Sequence, residues 1–353
     1  MSYLIAQKYL LFLIGVMISA GIIKEKHYLD NLFYLIKQRI KSKRLVVFLV
    51  SFFSGILPIP GRVTVSAGIL DSLAPSCSSE DKSCKKSRAK FGIIDYLSTH
   101  HYYLWSPLEK TVILPMAALG ITWSTFMGYM WPLVLISFIY IFSFIFIKFK
   151  EDDIIINENL FQNFNISKFI FGTLPLFIAI GFLAFGFPGW IVFPVVAFYY
   201  MIYGNIFNIK QLNSYINWWL VGILAIVLIL SVFFKSHAKE IGAFITSHGH
   251  FFDIHTLVGF IAISSIVFAA AWLMGSSGKY AGLVAILLGI YGPSYLVWFL
   301  TLEFAAYNLS PMHKCVHIGR MYFGTKIRRY FEAIIIWQLL LLTYAGIYTY
   351  FLL

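Results

Sequence analysis

Long apolar runs constrain this chain more than any other feature of its sequence. A transmembrane helix needs about 20 apolar residues, and seven segments meet that length with few or no charges. These are residues 121–147, 169–187, 190–207, 218–234, 257–274, 281–304 and 331–353. Two further candidates, 4–23 and 45–59, are interrupted by Lys8 and Pro58, respectively. We therefore predict an all-α polytopic membrane protein with about 8–10 transmembrane helices.

The composition agrees with a membrane location. Of the 353 residues, 60% are hydrophobic and 12% are charged, with a mean hydropathy of +0.81, which leaves too few charges to cover a soluble globule. The net charge of +12 would suggest nucleic acid as a partner, but the basic residues gather at the ends of the apolar runs. The positive-inside rule predicts that the loops holding Lys24 to Arg44 and Lys326 to Arg329 are cytoplasmic. The first run lacks a cleavage site, so we expect a retained span.

Cysteine and histidine patterns give no metal signature. Cys77 and Cys84 flank a polar loop, and they would be bridged only if that loop faces an oxidising compartment. The densest histidine cluster, in the loop 235–256, does not match a known zinc spacing. It comprises His237, His248, His250, Asp253 and His255. We predict no metal site and no cofactor, apart from Na⁺ or H⁺ as a coupling ion.

A short motif occurs twice. Residues 106–114 read SPLEKTVIL and residues 310–318 read SPMHKCVHI, and each copy follows an apolar run that is broken before a basic residue, Arg62 or Lys279. The two basic residues precede the motif lysines by 48 and 35 residues, and a polar insert at 76–90 accounts for the difference. We predict two repeats, 1–147 and 169–353, joined by the polar loop 148–168.

Broken helices at membrane depth predict a binding site. Unpaired backbone groups cost several kcal/mol in hydrocarbon, so such breaks are tolerated where they line protein or a polar cavity. Paired breaks in two repeats are typical of secondary transporters, and helix N-termini beside cations suit an anion. The alternative is an interfacial turn with basic anchors. The predicted substrate residues are Pro60, Gly61, Arg62, Thr64, Ser66, Ser276, Ser277, Gly278, Lys279, Ser310 and Pro311.

Three titratable side chains are candidates for ion coupling. Asp71 follows the first break, and Glu109 and His313 occupy the same position in the two copies of the motif. For Asp71 the alternative role is a structural partner of Arg62, and for the other two it is surface variation. Glu303 is an intramembrane carboxylate candidate or an interface anchor. Tyr102, Tyr103 and Trp105, which follow His100 and His101, are interpreted as an aromatic belt at the membrane interface.

Four stretches, ILPIPGRVTVSAGILDSL, HHYYLWSPLEK, LMGSSGKYAG and NLSPMHKCVHIGRMYFGT, carry a family resemblance. Together they resemble an uncharacterised family of prokaryotic integral membrane proteins in the ion-transporter superfamily, related to the gluconate and citrate permeases. That family usually has Pro-Met-Pro-Gly-Gly and then Ser-Ala-Pro, whereas Arg62 and Gly68 replace the second Gly and that Pro here. The resemblance implies inverted repeats with re-entrant or broken helices and ion-coupled solute transport.

These observations lead to a functional expectation. We predict a multi-pass protein of a prokaryotic inner membrane, in contact with lipid and possible as a homodimer, that transports a small anion such as an organic acid by symport with H⁺ or Na⁺. It would not be an enzyme, because no nucleophile elbow or phosphate loop is present. The first alternative is an intramembrane lipid-phosphate enzyme or flippase, and the second is a membrane scaffold or receptor without a solute path.

Overall fold

A computed structural model describes residues 3–56, 62–77, 80–157, 163–219, parts of 221–240, 253–274 and 277–352. Within these residues the chain is all-helical, without strands, as the sequence predicts. Among the described residues, three helices are long and apolar enough to cross a membrane, at Gln7–Glu25, Trp123–Lys148 and Ile327–Phe351.

The chain begins with two helices and then forms five that we call the first unit. The initial pair is α1 (Tyr3–Glu25) and α2 (Asp30–Arg39). The first unit comprises α3 (Lys43–Gly55), α4 (Arg62–Leu73), α5 (Lys82–His100), α6 (Lys110–Leu119) and α7 (Trp123–Lys148). A 3₁₀ turn at His101–Leu104 follows α5.

Three helices with described bounds follow the first unit, and five more form the second unit. The connecting helices are α8 (Leu174–Ala184), preceded by a π-helical turn at Lys168–Thr173, α9 (Gly189–Tyr203) and α10 (Ile209–Tyr215). The second unit comprises α11 (Leu257–Met274), α12 (Ser277–Tyr291), α13 (Leu296–Asn308), α14 (Lys314–Phe323) and α15 (Ile327–Leu352). Of the connecting helices, α9 packs most extensively against α1.

The two units match each other closely around the repeated motif. Helices α6 and α14 are both ten residues long, and α7 and α15 are both 26 residues long. Since α6 begins at Lys110 and α14 at Lys314, corresponding residues lie 204 positions apart. The pairing of the helices is also reciprocal: α6 packs against α12, and α14 packs against α4.

The same local interactions begin and end both ten-residue helices. Before α6, the Ser106 hydroxyl accepts a hydrogen bond from the backbone N–H of Leu108, and before α14 Ser310 accepts one from Met312. Gly120 and Gly324 follow the two helices with φ angles of 69° and 64°. Glycine adopts this left-handed conformation at little cost, which explains where both helices end.

Helices α7 and α15 pack antiparallel to each other. The Tyr140 hydroxyl donates to the carbonyl of Ala333 at 2.7 Å, and the Trp337 indole N–H donates to the Ser137 hydroxyl at 3.0 Å. The residue number in α7 therefore decreases, from 140 to 137, as the number of its partner in α15 increases, from 333 to 337. These two corresponding helices therefore run in opposite directions where they meet.

Helices α3 and α4 form a hairpin whose outer ends meet the same loop. Arg44, in the first turn of α3, donates to the carbonyl of Phe149, and the backbone N–H of Asn157 donates to Leu73 at the end of α4. The helices have 13 and 12 residues, or about 20 and 18 Å, which is less than the roughly 30 Å of a bilayer core. Both outer ends of the hairpin therefore lie on one side of the structure.

Several sequence expectations differ from the structure. The run 281–304 is not a single helix, because Gly292 has a φ of 91° and Pro293 follows it. The insert 76–90 is not only a loop, since α5 begins at Lys82 and is six residues longer than α13. About half of the predicted run 218–234 lies outside the described residues, and its described residues are helical.

Candidate functional site

A buried carboxylate in α5 forms the centre of a hydroxyl cluster, which we call the aspartate cluster: Ser51, Ser54, Ser66 and Asp95. Asp95 is 2% exposed, and its Oδ1 accepts hydrogen bonds from Ser51 and Ser66 at 2.6 and 2.5 Å. The Ser54 hydroxyl donates to Ser66 at 2.9 Å. Helices α3 and α4 supply the three serines, because both pack against α5. Carboxylate and hydroxyl oxygens are ligands for hard cations, and a carboxylate can also take up a proton.

A cavity of 610 Å³ reaches this cluster from the end of α1. Its lining includes Ser54, and the acidic and basic side chains in it are Lys24, Glu25, His27 and Asp30. His27 is exposed, whereas Ser54 is buried. The cavity therefore connects a charged opening with a hydroxyl that is hydrogen-bonded within the aspartate cluster.

A second buried group, one helical turn further along α5, is the histidine cluster: Tyr96, His100, Tyr307, His313 and Cys315. The Nε2 atoms of His100 and His313 lie 3.0 Å apart, and both side chains are fully buried. Nδ1 of His100 is 2.7 Å from the carbonyl of Tyr96, and Nδ1 of His313 is 3.0 Å from the carbonyl of Tyr307. The cluster joins the first unit to the repeated motif of the second.

Tyr103 and Tyr307 occupy corresponding positions and contact each other. Their hydroxyl oxygens are 3.4 Å apart and their ring centroids 5.4 Å apart, with the rings nearly perpendicular. Residues related by an internal two-fold axis touch only where the axis passes between them. The two tyrosines therefore mark the junction of the units, next to the histidine cluster.

Glu303 is the most isolated acidic group in the described structure. It is 3% exposed, and neither carboxylate oxygen has a hydrogen-bond partner among the described residues. Lys110 is close enough to attract a negative charge on it. An ionised carboxylate without hydrogen bonds is costly to bury, so Glu303 is a second side chain that can take up a proton. Its burial excludes the role of interface anchor.

The predicted substrate residues are only partly described. Pro60, Gly61 and Ser276 lie outside the described residues. Helices α4 and α12 begin at Arg62 and Ser277, but the side chains of Arg62, Ser277 and Lys279, and the burial of Gly278, are not described. Thr64 is exposed, whereas Ser66 belongs to the aspartate cluster. Ser310 donates to the carbonyl of Trp272, and Pro311 is exposed. The structure thus connects Ser66, but not Ser310, with the buried carboxylate.

The three coupling candidates lie in different surroundings. Asp71 forms an ion pair with Arg88, and its side chain is 40% exposed. Glu109 precedes the first residue of α6 and is buried, and His313 faces His100. The pairing with Arg88 favours a structural role for Asp71, with a different partner from the expected Arg62.

The interpretation of Tyr102, Tyr103 and Trp105 as an interfacial belt is wrong. Tyr102 and Tyr103 are buried, as are His100 and His101, and the Trp105 indole donates to Nδ1 of His101 at 2.8 Å. In sequence, buried and interfacial aromatic residues look alike.

In the loop 235–256, His248 and His250 lie outside the described residues.

Asp95 was missed by the sequence reasoning. Its signal is one acidic residue in the apolar stretch FGIIDYL, where a charge is expensive unless it has a function. The first half of α5 is strongly basic, so hydropathy does not identify this helix as a membrane span, and the acidic residue is not noticed as an intramembrane charge. The pairing of His100 with His313 had no sequence signal, since 213 residues separate them.

The polar insert carries a disulfide between Cys77 and Cys84. The insert lies at the same end as the basic cluster around Lys326, because Arg88 and Ala89 contact Tyr322 and Thr325. A disulfide indicates an oxidising compartment, whereas the basic cluster indicates the cytoplasm. The two indicators therefore disagree on which way this end faces.

The comparisons with known proteins do not place the chain in a family. No protein-family model matches the sequence, and no curated protein matches it at a significant level. The resemblance to the ion-transporter superfamily thus remains a prediction that depends on the four stretches quoted above. A functional assignment has to be argued from the geometry.

Proposed function

We propose that this protein is a multi-pass secondary transporter that moves a small anion by symport with H⁺ or Na⁺. The observation that carries the proposal is the aspartate cluster, a buried carboxylate with three hydroxyls at the end of a cavity. Intramembrane ionisable groups that face a cavity are characteristic of ion pathways. Three helices of spanning length support the membrane location.

The architecture supports transport by two inverted repeats. The first and second units have matching helix lengths, turns and reciprocal contacts, and α7 and α15 pack antiparallel. Inverted repeats give a transporter two related conformations, each open to one side, with the binding site between the repeats. Tyr103 and Tyr307 mark that junction here.

We assign ion coupling to Asp95 and anion binding to the breaks before Arg62 and Lys279. Asp95 would hold the cation or proton with the hydroxyls of Ser51 and Ser66, which already point at Oδ1. The α3–α4 hairpin carries both serines, so ion binding would fix the hairpin, whose second helix begins at Arg62. This linkage would make anion binding depend on the ion.

Uptake into proteoliposomes tests the proposal. The purified protein is supplied with a panel of radiolabelled carboxylates and inorganic anions under an imposed Na⁺ or proton gradient. Asp95→Asn keeps the shape of the side chain and removes its charge, so gradient-driven uptake should fall at least tenfold, corresponding to about 1.4 kcal/mol of lost ion affinity. Asp152→Asn, an exposed loop position, should transport like the wild type.

Two further variants separate the parts of the assignment. Asp71→Asn should retain coupling, because Asp71 is paired with Arg88 at the surface. Arg62→Ala and Lys279→Ala should raise the anion concentration needed for half-maximal uptake. The proposal fails if the wild type moves none of the anions, or if uptake by Asp95→Asn keeps the wild-type dependence on the gradient.

A further inference from the structure

The histidine cluster brings three metal-ligating side chains together within the protein interior. His100 comes from α5, whereas His313 and Cys315 come from the start of α14. One ligand atom from each residue lies within 4.8 Å of the other two, and all three side chains are buried. This group belongs to the interface between the two units and is independent of the transport assignment.

The hydrogen bonds of the two histidines fix where their protons are. A carbonyl oxygen can only accept, so Nδ1 of His100 and Nδ1 of His313 carry the hydrogens that point at Tyr96 and Tyr307. The Tyr96 hydroxyl is 3.4 Å from Nδ1 of His313, but it donates to Asn308 at 2.7 Å. In the neutral rings, both Nε2 atoms therefore present lone pairs.

Two lone pairs that face each other at 3.0 Å need a positive centre between them. That centre is either a shared proton or a metal ion. A histidine that binds metal through Nε2 typically donates Nδ1–H to a carbonyl, which is the arrangement of both rings here. Two nitrogens on a tetrahedral ion at 2.0–2.1 Å lie roughly 3.3 Å apart, so the two Nε2 atoms would have to separate by only a few tenths of an ångström. Sγ of Cys315, within 4.8 Å of them, would have to move closer by up to about 1 Å.

The thiol of Cys315 favours a metal ion, rather than a shared proton, between the two histidines. Its chemistry also indicates which metal ion binds. A thiolate with two imidazoles is a soft ligand set, suited to Cu⁺ and Zn²⁺ and unsuited to Na⁺ or Mg²⁺. Because the site is buried, net charge there is costly. One thiolate neutralises Cu⁺ completely but leaves Zn²⁺ with a charge of +1. We propose that His100, His313 and Cys315 bind one Cu⁺ ion in preference to Zn²⁺, joining the two units.

Metal titration of the full-length protein in detergent tests this site. The protein is stripped with a Cu⁺ chelator under reducing, anaerobic conditions and then titrated with Cu⁺ or Zn²⁺ against a chromogenic competitor. We expect one Cu⁺ per chain and a higher thermal unfolding temperature when it is bound. Cys315→Ser and His313→Ala should each weaken Cu⁺ binding at least about 100-fold, since even outer-sphere changes cost 10–100-fold.

His317→Ala is the matched control. His317 lies on the same helix but is exposed, so its replacement should leave Cu⁺ affinity unchanged. Thermal unfolding without metal shows whether each variant is folded, and Cys315→Ser is nearly isosteric. The inference is overturned if the wild type binds no Cu⁺, if binding persists in both ligand variants, or if Zn²⁺ binds more tightly than Cu⁺.

Discussion

The first and second units share a backbone plan but differ in chemistry. Both use a Ser-Pro turn, a lysine that begins a ten-residue helix, a left-handed glycine that ends it and a 26-residue helix after it. At the residue before each lysine, however, the first unit has Glu109 and the second has His313. Turn geometry restricts the residues that form it, whereas the neighbouring side chains are free to vary, so the functional differences are found beside the turn.

The turns are alike in the two units, whereas the buried polar groups differ between them. Asp95 in the first unit corresponds to Phe299 in the second, and His100 corresponds to Phe304. Each unit therefore contributes a different part: the first holds the carboxylate and one histidine, and the second adds His313 and Cys315. Only the assembled pair completes the histidine cluster, so variants of matched positions can test how far the similarity extends.

The largest effect is expected where the two long helices meet. Trp337 in α15 is fully buried, and its indole N–H donates a hydrogen bond to the Ser137 hydroxyl. The residue at the corresponding position in α7 is the buried Leu133. Trp337→Ala should lower the free energy of unfolding by about 3–5 kcal/mol, and Leu133→Ala by about 2–5 kcal/mol. Reversible unfolding in mixed micelles measures both losses. Trp337→Phe, which keeps most of the volume, should cost clearly less. Equal stability of Trp337→Ala and the wild type would contradict the antiparallel interface.

The next effect concerns the insert that only the first unit has. The Cys77–Cys84 bridge closes a short loop, with a sequence separation of 7. Replacing both cysteines with serine should lower stability by about 2–3 kcal/mol, because the open chain gains conformational freedom when unfolded. The wild type unfolded under reducing conditions provides the control without a bridge. Thiol labelling in intact cells decides between the two topology indicators: two reactive thiols in the insert would place it in the cytoplasm and contradict the bridge.

A smaller and equal effect should follow at the two helix ends. Alanine at Gly120 or Gly324 would be strained by its positive φ, although no atom lies within 4 Å of the added Cβ. Each substitution should cost about 1–2 kcal/mol. Gly128, in the second turn of α7, also has open space, and Gly128→Ala should raise helix stability by about 0.5–1 kcal/mol. Thermal unfolding compares the three, and a large loss at only one of the two ends would refute their equivalence.

The smallest effect lies at the loop that holds the α3–α4 hairpin. Burial alone would raise the pKa of Glu151, but hydrogen bonds from Arg44, Lys43 N–H and Ser42 outweigh it and leave the pKa below its ordinary value of 4.5. Glu151→Gln should cost about 1 kcal/mol, discounted because a third of the side chain is exposed. No matching contact is described in the second unit.

The sign of its pH dependence follows from the lowered pKa. Glu151 stabilises the protein above pH 4.5, and the contribution disappears as the pH falls through the lower pKa of the folded state. The difference in unfolding temperature between wild type and Glu151→Gln should therefore be constant near pH 7 and shrink below pH 4.5. A difference that grows on acidification would contradict the assigned contacts.

The sequence predicted the helical class and the correspondence of the motifs, because apolar runs and turn residues act locally. The Ser-Pro motif and its lysine indicated the matching helices α6 and α14. The break at Gly292 was missed, because hydropathy over the run 281–304 is high on both sides of it. The buried groups could not be predicted, since burial of Asp95 and the meeting of His100 with His313 depend on how distant helices pack. Composition also does not distinguish a helix facing lipid from one facing protein.

The contact between Tyr103 and Tyr307 has an evolutionary consequence. If the two units descend from one duplicated sequence, a half-length ancestor had a single tyrosine at this position. That tyrosine would have touched its own copy in a second chain, across the two-fold axis of an antiparallel homodimer. Fusion of the two copies then freed each side of the axis to evolve separately, with a carboxylate retained or acquired on one side and a thiol on the other.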